Sequence, residues 1–359
     1  MTSHRSKPAI AVVGAGLAGA ACAASLASNG MAVTVFDKSR GVGGRMATRR
    51  MRWSAAPAAG DVLEMHAEVD HGAPYFTAVH PRFRAAMRRA ASAGVLVPWQ
   101  PRVHGTWVPA GVHSFVPVPT MTALARHLLA GVNLQPDQAV QRLHRTDDGW
   151  HLVLADGGQA GPFDQVVLAM PPAQAAVLLA GHHDAWADAL AEVRMQPCWT
   201  LMAVTDEVDW PWDAAEPDRG PLAWVARNDR KPGRTAPRGC ATWVAQATAA
   251  WSAAHLEEDP QVVAVALRAA LQQQLPASAP VIWHTSVVHR WRYAVPVAPV
   301  ADQAVVVQPD YRWDAEHGLG VCGDHLAGGG VEAAWRSGDE LADAVVAWHE
   351  TQVELATTP

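Results

Sequence analysis

Six residues constrain this chain more than any others: Gly14-Ala15-Gly16-Leu17-Ala18-Gly19, a complete G-x-G-x-x-G. Ahead of it, Ala9 to Val13 is short, uniformly apolar and ends at glycine, which predicts a buried parallel strand. After it, Leu17 to Asn29 predicts a helix stopped by Gly30, and Ala32 to Phe36 predicts a second strand. Strand, glycine turn, helix and strand in this order open a doubly wound sheet. Gly14 permits the tight turn, Gly16 lets backbone approach a diphosphate, and Gly19 lets the helix pack on the strand. The helix start offers unpaired N–H groups and partial positive charge to an anion. Asp37, closing the second strand, is placed to accept from a ribose hydroxyl. Basic residues before an apolar stretch also resemble a secretory signal, but a signal needs no such glycine spacing, so the stretch is read as fold.

Composition narrows the alternatives. With 359 residues and a net charge of -6, the chain has room for two domains and no basic stripe for nucleic acid. No stretch is long and apolar enough to predict a membrane span. Cys22, Cys198, Cys240 and Cys322 form no C-x-x-C pair, which predicts reduced thiols and a cytoplasmic chain. Seventeen histidines include no H-E-x-x-H, so no metal site is expected. No G-x-S-x-G elbow is present for an esterase-type nucleophile.

Two further elements favour FAD over NAD. Arg40 and Gly43-Gly44-Arg45-Met46 follow Asp37 directly, and a glycine pair with arginine can set a guanidinium on a diphosphate. Near the other end, Gly320-Val321-Cys322-Gly323-Asp324 precedes Gly328-Gly329-Gly330-Val331-Glu332. Asp324 can accept from a ribityl chain, and the helix starting near Val331 can aim N–H groups at the flavin's pyrimidine end. The expected cofactor residues are Gly14, Ala15, Gly16, Leu17, Ala18, Gly19, Asp37, Lys38, Arg40, Gly44, Arg45, Met46, Gly323, Asp324 and Val331. No attachment signal is evident, so FAD is expected to bind without a covalent link.

The rest of the chain predicts a helix from Pro81 to Gly94 with Phe83 and Met87 inward, and another from Thr122 to Leu129. Short strands follow from Val132 to Ala155. Val166 to Met170 predicts a buried strand stopped by Pro171 and Pro172, a helix starts near Pro260, and Leu319 to Cys322 is a strand. The last helix is expected from Val331 to about Trp348. Pro211 to Pro221 and Lys231 to Gly239 read as surface loops. The fold class is α/β, a Rossmann-type FAD domain with an inserted α+β substrate domain. Residues 1–72, 117–176 and 284–356 would form the first, and 73–116 and 177–283 the second.

Several segments resemble the bacterial branch of the renalase family, which is related in fold to flavin amine oxidases. They are Asp37 to Met46, then Asp70-His71-Gly72-Ala73-Pro74-Tyr75-Phe76-Thr77, Trp224 to Pro232, His289 to Tyr293, and Val321 to Gly338. The resemblance implies a FAD domain of the p-hydroxybenzoate hydroxylase type and a substrate domain on an antiparallel sheet. It implies FAD contacts at Ala18, Asp37, Arg45 and Asp324, at Pro74 and Tyr75 near the ring, and at the Val140 backbone. It also turns Asn228 and Gln246 toward substrate. Pro74 stands where the family often has glutamine, Ala333 where glycine is common, and Gln246 where bacterial relatives often have histidine.

The activity implied is oxidation of abnormal dihydro isomers of NAD(P), 2-dihydro first and 6-dihydro second, with oxygen reoxidising the flavin to give hydrogen peroxide. Partners would be that small molecule and oxygen, with no nucleic acid or membrane. No acid–base catalytic residue is expected, because hydride loss from a dihydropyridine needs no base. Two alternatives stand beside it. A flavin amine oxidase would need a lysine beside the flavin, and Lys231, in a Pro/Arg-rich loop, would have to turn inward. A non-catalytic flavin-binding module is the other. Nine of the sixteen tryptophans lie from Trp186 to Trp291; most are expected in the core, and one or two beside a flat-ring pocket.

Overall fold

The computed structural model describes residues 7–55, 63–105, 113–276, 281–297 and 309–357. It divides into two compact units, Met1–Gly44 with Leu124–Arg194 and Pro296–Pro359, and Arg45–Ala123 with Met195–Val295.

The first unit holds a six-stranded sheet in the order Tyr311–Asp314, Leu319–Cys322, Gln165–Leu168, Ala9–Val13, Ala32–Phe36, Asn133–Gln135. All pairings are parallel except that of the first two strands. Both faces are covered, which is why Ala9–Val13 carries no polar residue. Ile10 and Val12 pack toward Leu17–Ser28 and Gly330–Thr357. Ala11 and Val13 pack toward Trp150, Leu152 and the helices Pro172–Leu179 and Asp184–Ala191. The helices Leu17–Ser28 and Gly330–Thr357 cross closely: a Cβ on Gly338 would fall 2.0 Å from the Ala18 carbonyl oxygen.

The second unit is built on another six-stranded sheet, ordered Trp283–Pro296, Met195–Asp206, Cys240–Ala247, Leu222–Arg227, Ala214–Ala215, Val103–His104. Helix Pro260–Gln272 covers the face of Trp199, Leu201, Val225 and Trp243. The hairpin Thr48–Ala55 and Leu63–Asp70 covers the face of Met202, Val204 and Val244. A small sheet of Phe76–Thr77, Ser114–Pro117 and Leu96–Trp99 carries the helix Pro81–Ser92 with Phe83 and Met87 buried.

The α/β class holds: the cofactor-type sheet is parallel and the other antiparallel in its main strands. The division points differ from the expected ones. The chain leaves the first unit at Gly44, not Gly72, because the hairpin Thr48–Asp70 buries Met51, Trp53 and Val69 against the second sheet. It stays in the first unit to Arg194 because the helices after Pro171 pack on the first sheet. The strand Gln165–Leu168 stops ahead of Pro171 and Pro172, and Pro172 starts a helix, where at the first helical position its missing N–H costs nothing. The last helix outruns Trp348 to Thr357, its final turns formed of good helix formers such as Glu350, Gln352 and Glu354. Pro211 to Pro221 contains the buried strand Ala214–Ala215 and is not wholly a surface loop.

Candidate functional site

In the first unit, Ala9–Val13, Ala32–Phe36, Gln165–Leu168 and Leu319–Cys322 end on one edge of the sheet. Strand order runs both ways from Ala9–Val13, the topology that leaves a ligand crevice at a strand's carboxyl end. The three glycines there have distinct roles. Gly14 has φ of +112°, and a Cβ on it would lie 2.3 Å from the Ala169 carbonyl oxygen. A Cβ on Gly19 would lie 1.9 Å from the Gly14 carbonyl oxygen. A Cβ on Gly16 would meet no protein atom within 4 Å, and no side chain caps the helix that begins there. The outer glycines serve the fold, whereas Gly16 opens a bare helix N-terminus, a cradle suited to a diphosphate.

The expected residues gather around this turn. Asp37 Oδ2 accepts from Ala15 N–H at 2.6 Å and Oδ1 from Ser39 N–H at 2.7 Å, so the carboxylate braces the loop. Gly43 N–H donates to the Ala15 carbonyl at 2.8 Å, and Gly44 approaches the Gly16 Cα. Leu17 and Ala18 are buried in the helix. Lys38 Nζ donates to Gln174 at 3.3 Å, and Arg40 is exposed. At the end of Leu319–Cys322, Gly323 N–H donates to Ser337 Oγ at 2.8 Å. Asp324 is buried, and its carboxylate accepts from Gly330 N–H at 3.4 Å beside the first turn that holds Val331. Val140 begins the strand Val140–Thr146.

The second unit holds Arg45, Met46, Pro74, Tyr75, Asn228 and Gln246, arranged around the segment from Asp70 to Tyr75. Nearly every group of that segment is held. Asp70 N–H donates to Asn228 Oδ1 at 3.1 Å and His71 N–H to the Ala47 carbonyl at 3.1 Å. The His71 carbonyl accepts from Trp291 Nε1 at 2.8 Å, the Gly72 carbonyl from Gln246 Nε2 at 2.7 Å. Ala73 N–H donates to the Arg45 carbonyl at 2.8 Å. One of the five N–H donors of Arg45 reaches the Ala294 carbonyl at 3.0 Å. Met46 is buried. Tyr75 sits between Trp99 and Trp224, with ring centroids 6.1 and 5.6 Å away. Burial, and secondarily Glu216, pushes its phenol pKa up. Other tryptophans of this region pack in the core and donate inward, as Trp199 does to the His255 carbonyl and Trp243 to Thr205.

Beneath this segment lies a buried charge cluster that sequence reading missed. Asp70 Oδ2 lies 2.6 Å from Lys231 Nζ and 2.9 Å from Arg234 Nη2, and Thr48 Oγ1 donates to Oδ1 at 2.6 Å. All three charged residues are buried. Burial alone would raise the Asp70 pKa, but Lys231 and Arg234 together hold it below the usual carboxylate range. Burial lowers the pKa of both cations, and Asp70 offsets only part of that. His71, stacked on Trp291, falls to about 4 through burial, then His289 and Arg49, and is therefore neutral at pH 7.

Two expectations need correction here. Lys231 and Arg234 are not loop-surface residues: Lys231 is turned inward and 3% exposed, because its ammonium is matched to Asp70. Asn228, expected to face substrate, is fully buried, with Nδ2 donating to the Glu68 carbonyl at 2.9 Å and Oδ1 accepting from Asp70 N–H. Within the same motif Arg227 pairs with Asp229 at 2.7 Å and Glu207 at 3.0 Å. The Trp224 to Pro232 segment thus works as an internal joint. The signal available in sequence was its density of charged residues beside Trp224.

Fold and cradle together define an α/β protein with a dinucleotide-binding type of turn. Residues 12–90 match the NAD(P)-binding Rossmann-like domain, and residues 100–346 match the flavin containing amine oxidoreductase family. The chain belongs to that flavin containing amine oxidoreductase family, and its membership implies a flavin cofactor. Among solved structures it is similar to a protein of Exiguobacterium sp. 255-15 provisionally named as a protoporphyrinogen oxidase, at 12% identity and TM-score 0.69, covering 96% of this chain and 99% of that one. Cyclohexylamine oxidase from Brevibacterium oxydans IH-35A is similar at 14% identity and TM-score 0.66, covering 96% and 100%. Reduced UDP-galactopyranose mutase is similar at 10% identity and TM-score 0.67, covering 95% and 96%. Oxidases and a mutase share this fold, so the fold does not choose the reaction. No helix among the described residues is long and apolar enough to cross a membrane.

Proposed function

We propose that this chain is an FAD-dependent oxidase that takes hydride from an abnormal dihydro isomer of NAD or NADP, with the 2-dihydro form first and the 6-dihydro form second. The proposal includes a cytoplasmic location and no nucleic-acid or membrane partner. The observation that carries it is the state of Lys231. The chain has three lysines, Lys7, Lys38 and Lys231, and only Lys231 is buried. Its ammonium is locked on Asp70 at 2.6 Å, with Arg234 on the same carboxylate. Amine oxidation calls on a group that can manage the substrate's proton. A dihydropyridine has no proton on its ring nitrogen, and hydride loss leaves an aromatic cation without a base. What the protein must do is hold a flat ring in register.

The residues suit that task. A bound flavin would supply the hydride acceptor and pass the electrons to oxygen as hydrogen peroxide. Within the first unit Gly16 and its helix N-terminus, Asp37 and Asp324 would hold the dinucleotide; Arg45, which opens the second unit, is kept as a diphosphate anchor. Tyr75, half-buried and backed by the buried Trp99 and Trp224, offers flat apolar surface for a planar ring. Gln246, fixed by its bond to Gly72, is kept as the residue facing substrate. Asn228 is reassigned as a clamp on the Leu63–Asp70 strand. A neutral His71 adds no positive charge beside a segment where a cationic product would form.

The competing reading, oxidation of an amine, draws on the family match, on cyclohexylamine oxidase and on the inward turn of Lys231 that such an enzyme would need. Anaerobic mixing with 2-dihydro-NAD, 6-dihydro-NAD, ordinary NADH and simple amines separates the readings. Rapid bleaching by an abnormal isomer, with NAD as product, is expected. Fast bleaching by amines, or by NADH alone, defeats the proposal, and a flavin that nothing reduces points to a non-catalytic module.

Binding is tested separately. Acid or heat should release intact FAD into the supernatant; flavin retained in the precipitate rules out non-covalent binding. Arg45→Ala should weaken FAD binding by roughly 10- to 150-fold, as loss of one charge-assisted hydrogen bond of about 1.5–3 kcal/mol requires. Unchanged affinity would remove Arg45 from the cofactor site.

A further inference from the structure

Helix Pro81–Ser92 carries four arginines and no acidic residue in a chain whose net charge is -6. Two of them, Arg84 and Arg88, stand one turn apart on one exposed face. Neither guanidinium has a carboxylate partner among the described residues. That face borders a groove of about 350 Å³. Its floor is apolar, formed by Met87 and Phe115 with Val79 at the side, and the exposed His113 stands on its rim. Among the described residues no acidic side chain lines it. None of these residues belongs to the cofactor cradle or to the Asp70 cluster.

We propose that this groove binds the phosphomonoester end of a nucleotide. Two guanidiniums one turn apart match a phosphate dianion, which takes parallel N–H···O bonds from each, and the imidazole adds a further donor. The apolar floor suits the flat face of a base, and the volume is at the small end of ligand pockets, enough for one nucleotide. The charge pairing excludes a cationic ligand. The short floor favours a base over a long acyl chain. The site rests on no assumption about the flavin reaction.

The test is calorimetric titration of the flavin-loaded full chain with 2′-AMP, and with adenosine, laurate and a glutamate-rich peptide. Wild type should bind 2′-AMP at least about tenfold more tightly than adenosine, the scale of one charge-assisted contact. Arg84→Ala/Arg88→Ala should lose that preference, and Ala91→Trp, which fills the groove and leaves both arginines in place, should lose binding altogether. Arg219→Ala, at an exposed arginine elsewhere, should change nothing. Melting curves confirm that each variant is folded. Equal affinity for adenosine, preference for laurate or peptide, or 2′-AMP binding that survives both groove variants overturns the proposal; the last result would put the nucleotide elsewhere.

Discussion

Asp70→Asn is expected to lower the stability of this protein by about 3–5 kcal/mol, the cost of removing one partner from a buried ion cluster. The substitution keeps the volume and shape of the side chain, so no cavity term enters. What it removes is the carboxylate that the two buried cations Lys231 and Arg234 share. Both already pay for burial in a lowered pKa, and without Asp70 nothing named offsets it at Lys231 and only the charge of Glu68 does at Arg234. Lys231→Met should cost less, because Asp70 keeps Arg234. The double variant Asp70→Asn/Lys231→Met should be more stable than Asp70→Asn alone, the non-additivity expected of residues in direct contact. The pH dependence has a definite sign. The folded pKa of Asp70 lies below its unfolded value of about 3.9, so its contribution is complete above that value. It fades as pH falls through the folded pKa. Asp70→Asn should therefore narrow its gap to wild type in strong acid. Urea unfolding across that range measures it, and a loss under about 1 kcal/mol at pH 7 would show that the cluster is not closed to water.

Gly16→Val and Gly19→Val should fail in opposite ways. A Cβ on Gly19 would sit 1.9 Å from backbone, which neither helix nor strand can yield without parting. That variant should be insoluble or lose more than about 4 kcal/mol, the range of severe core disruption. A Cβ on Gly16 meets no protein atom, and its φ of -69° suits any residue. Gly16→Val should fold, at a cost of about 1 kcal/mol or less for a poorer N-cap residue. Its flavin content should nevertheless collapse, because the added methyl groups fill the space where backbone must approach the diphosphate. The two measurements are the melting temperature of the flavin-free protein and the ratio of flavin to protein absorbance. A Gly16→Val protein that binds flavin normally would show that the cradle has been misassigned.

The dinucleotide cradle was legible in the chain because it is a local device. Gly14 to Gly19, the flanking strands and Asp37 lie within 29 residues, and each signal is a backbone requirement that few residue types satisfy. The strands Ala9–Val13 and Ala32–Phe36 fell where apolar runs put them, since a strand buried on both faces admits little else.

What only the tertiary structure decided is which polar residues go inside. Lys231-Pro232-Gly233-Arg234 has the composition of a solvated loop, and nothing near it says otherwise. Its ammonium is buried because a carboxylate 161 positions earlier meets it at 2.6 Å. Asn228 is buried because strand Leu63–Asp70 brings it one N–H and one carbonyl to bond. A buried charge or amide is tolerable only with its partner in place, and that partner is supplied by chain folding, not by neighbours in sequence. Glycine spacing and apolar runs settled the cofactor-type fold of this protein; the long-range pairing of Asp70 with Lys231 and Arg234 settled which of its charged residues lie inside.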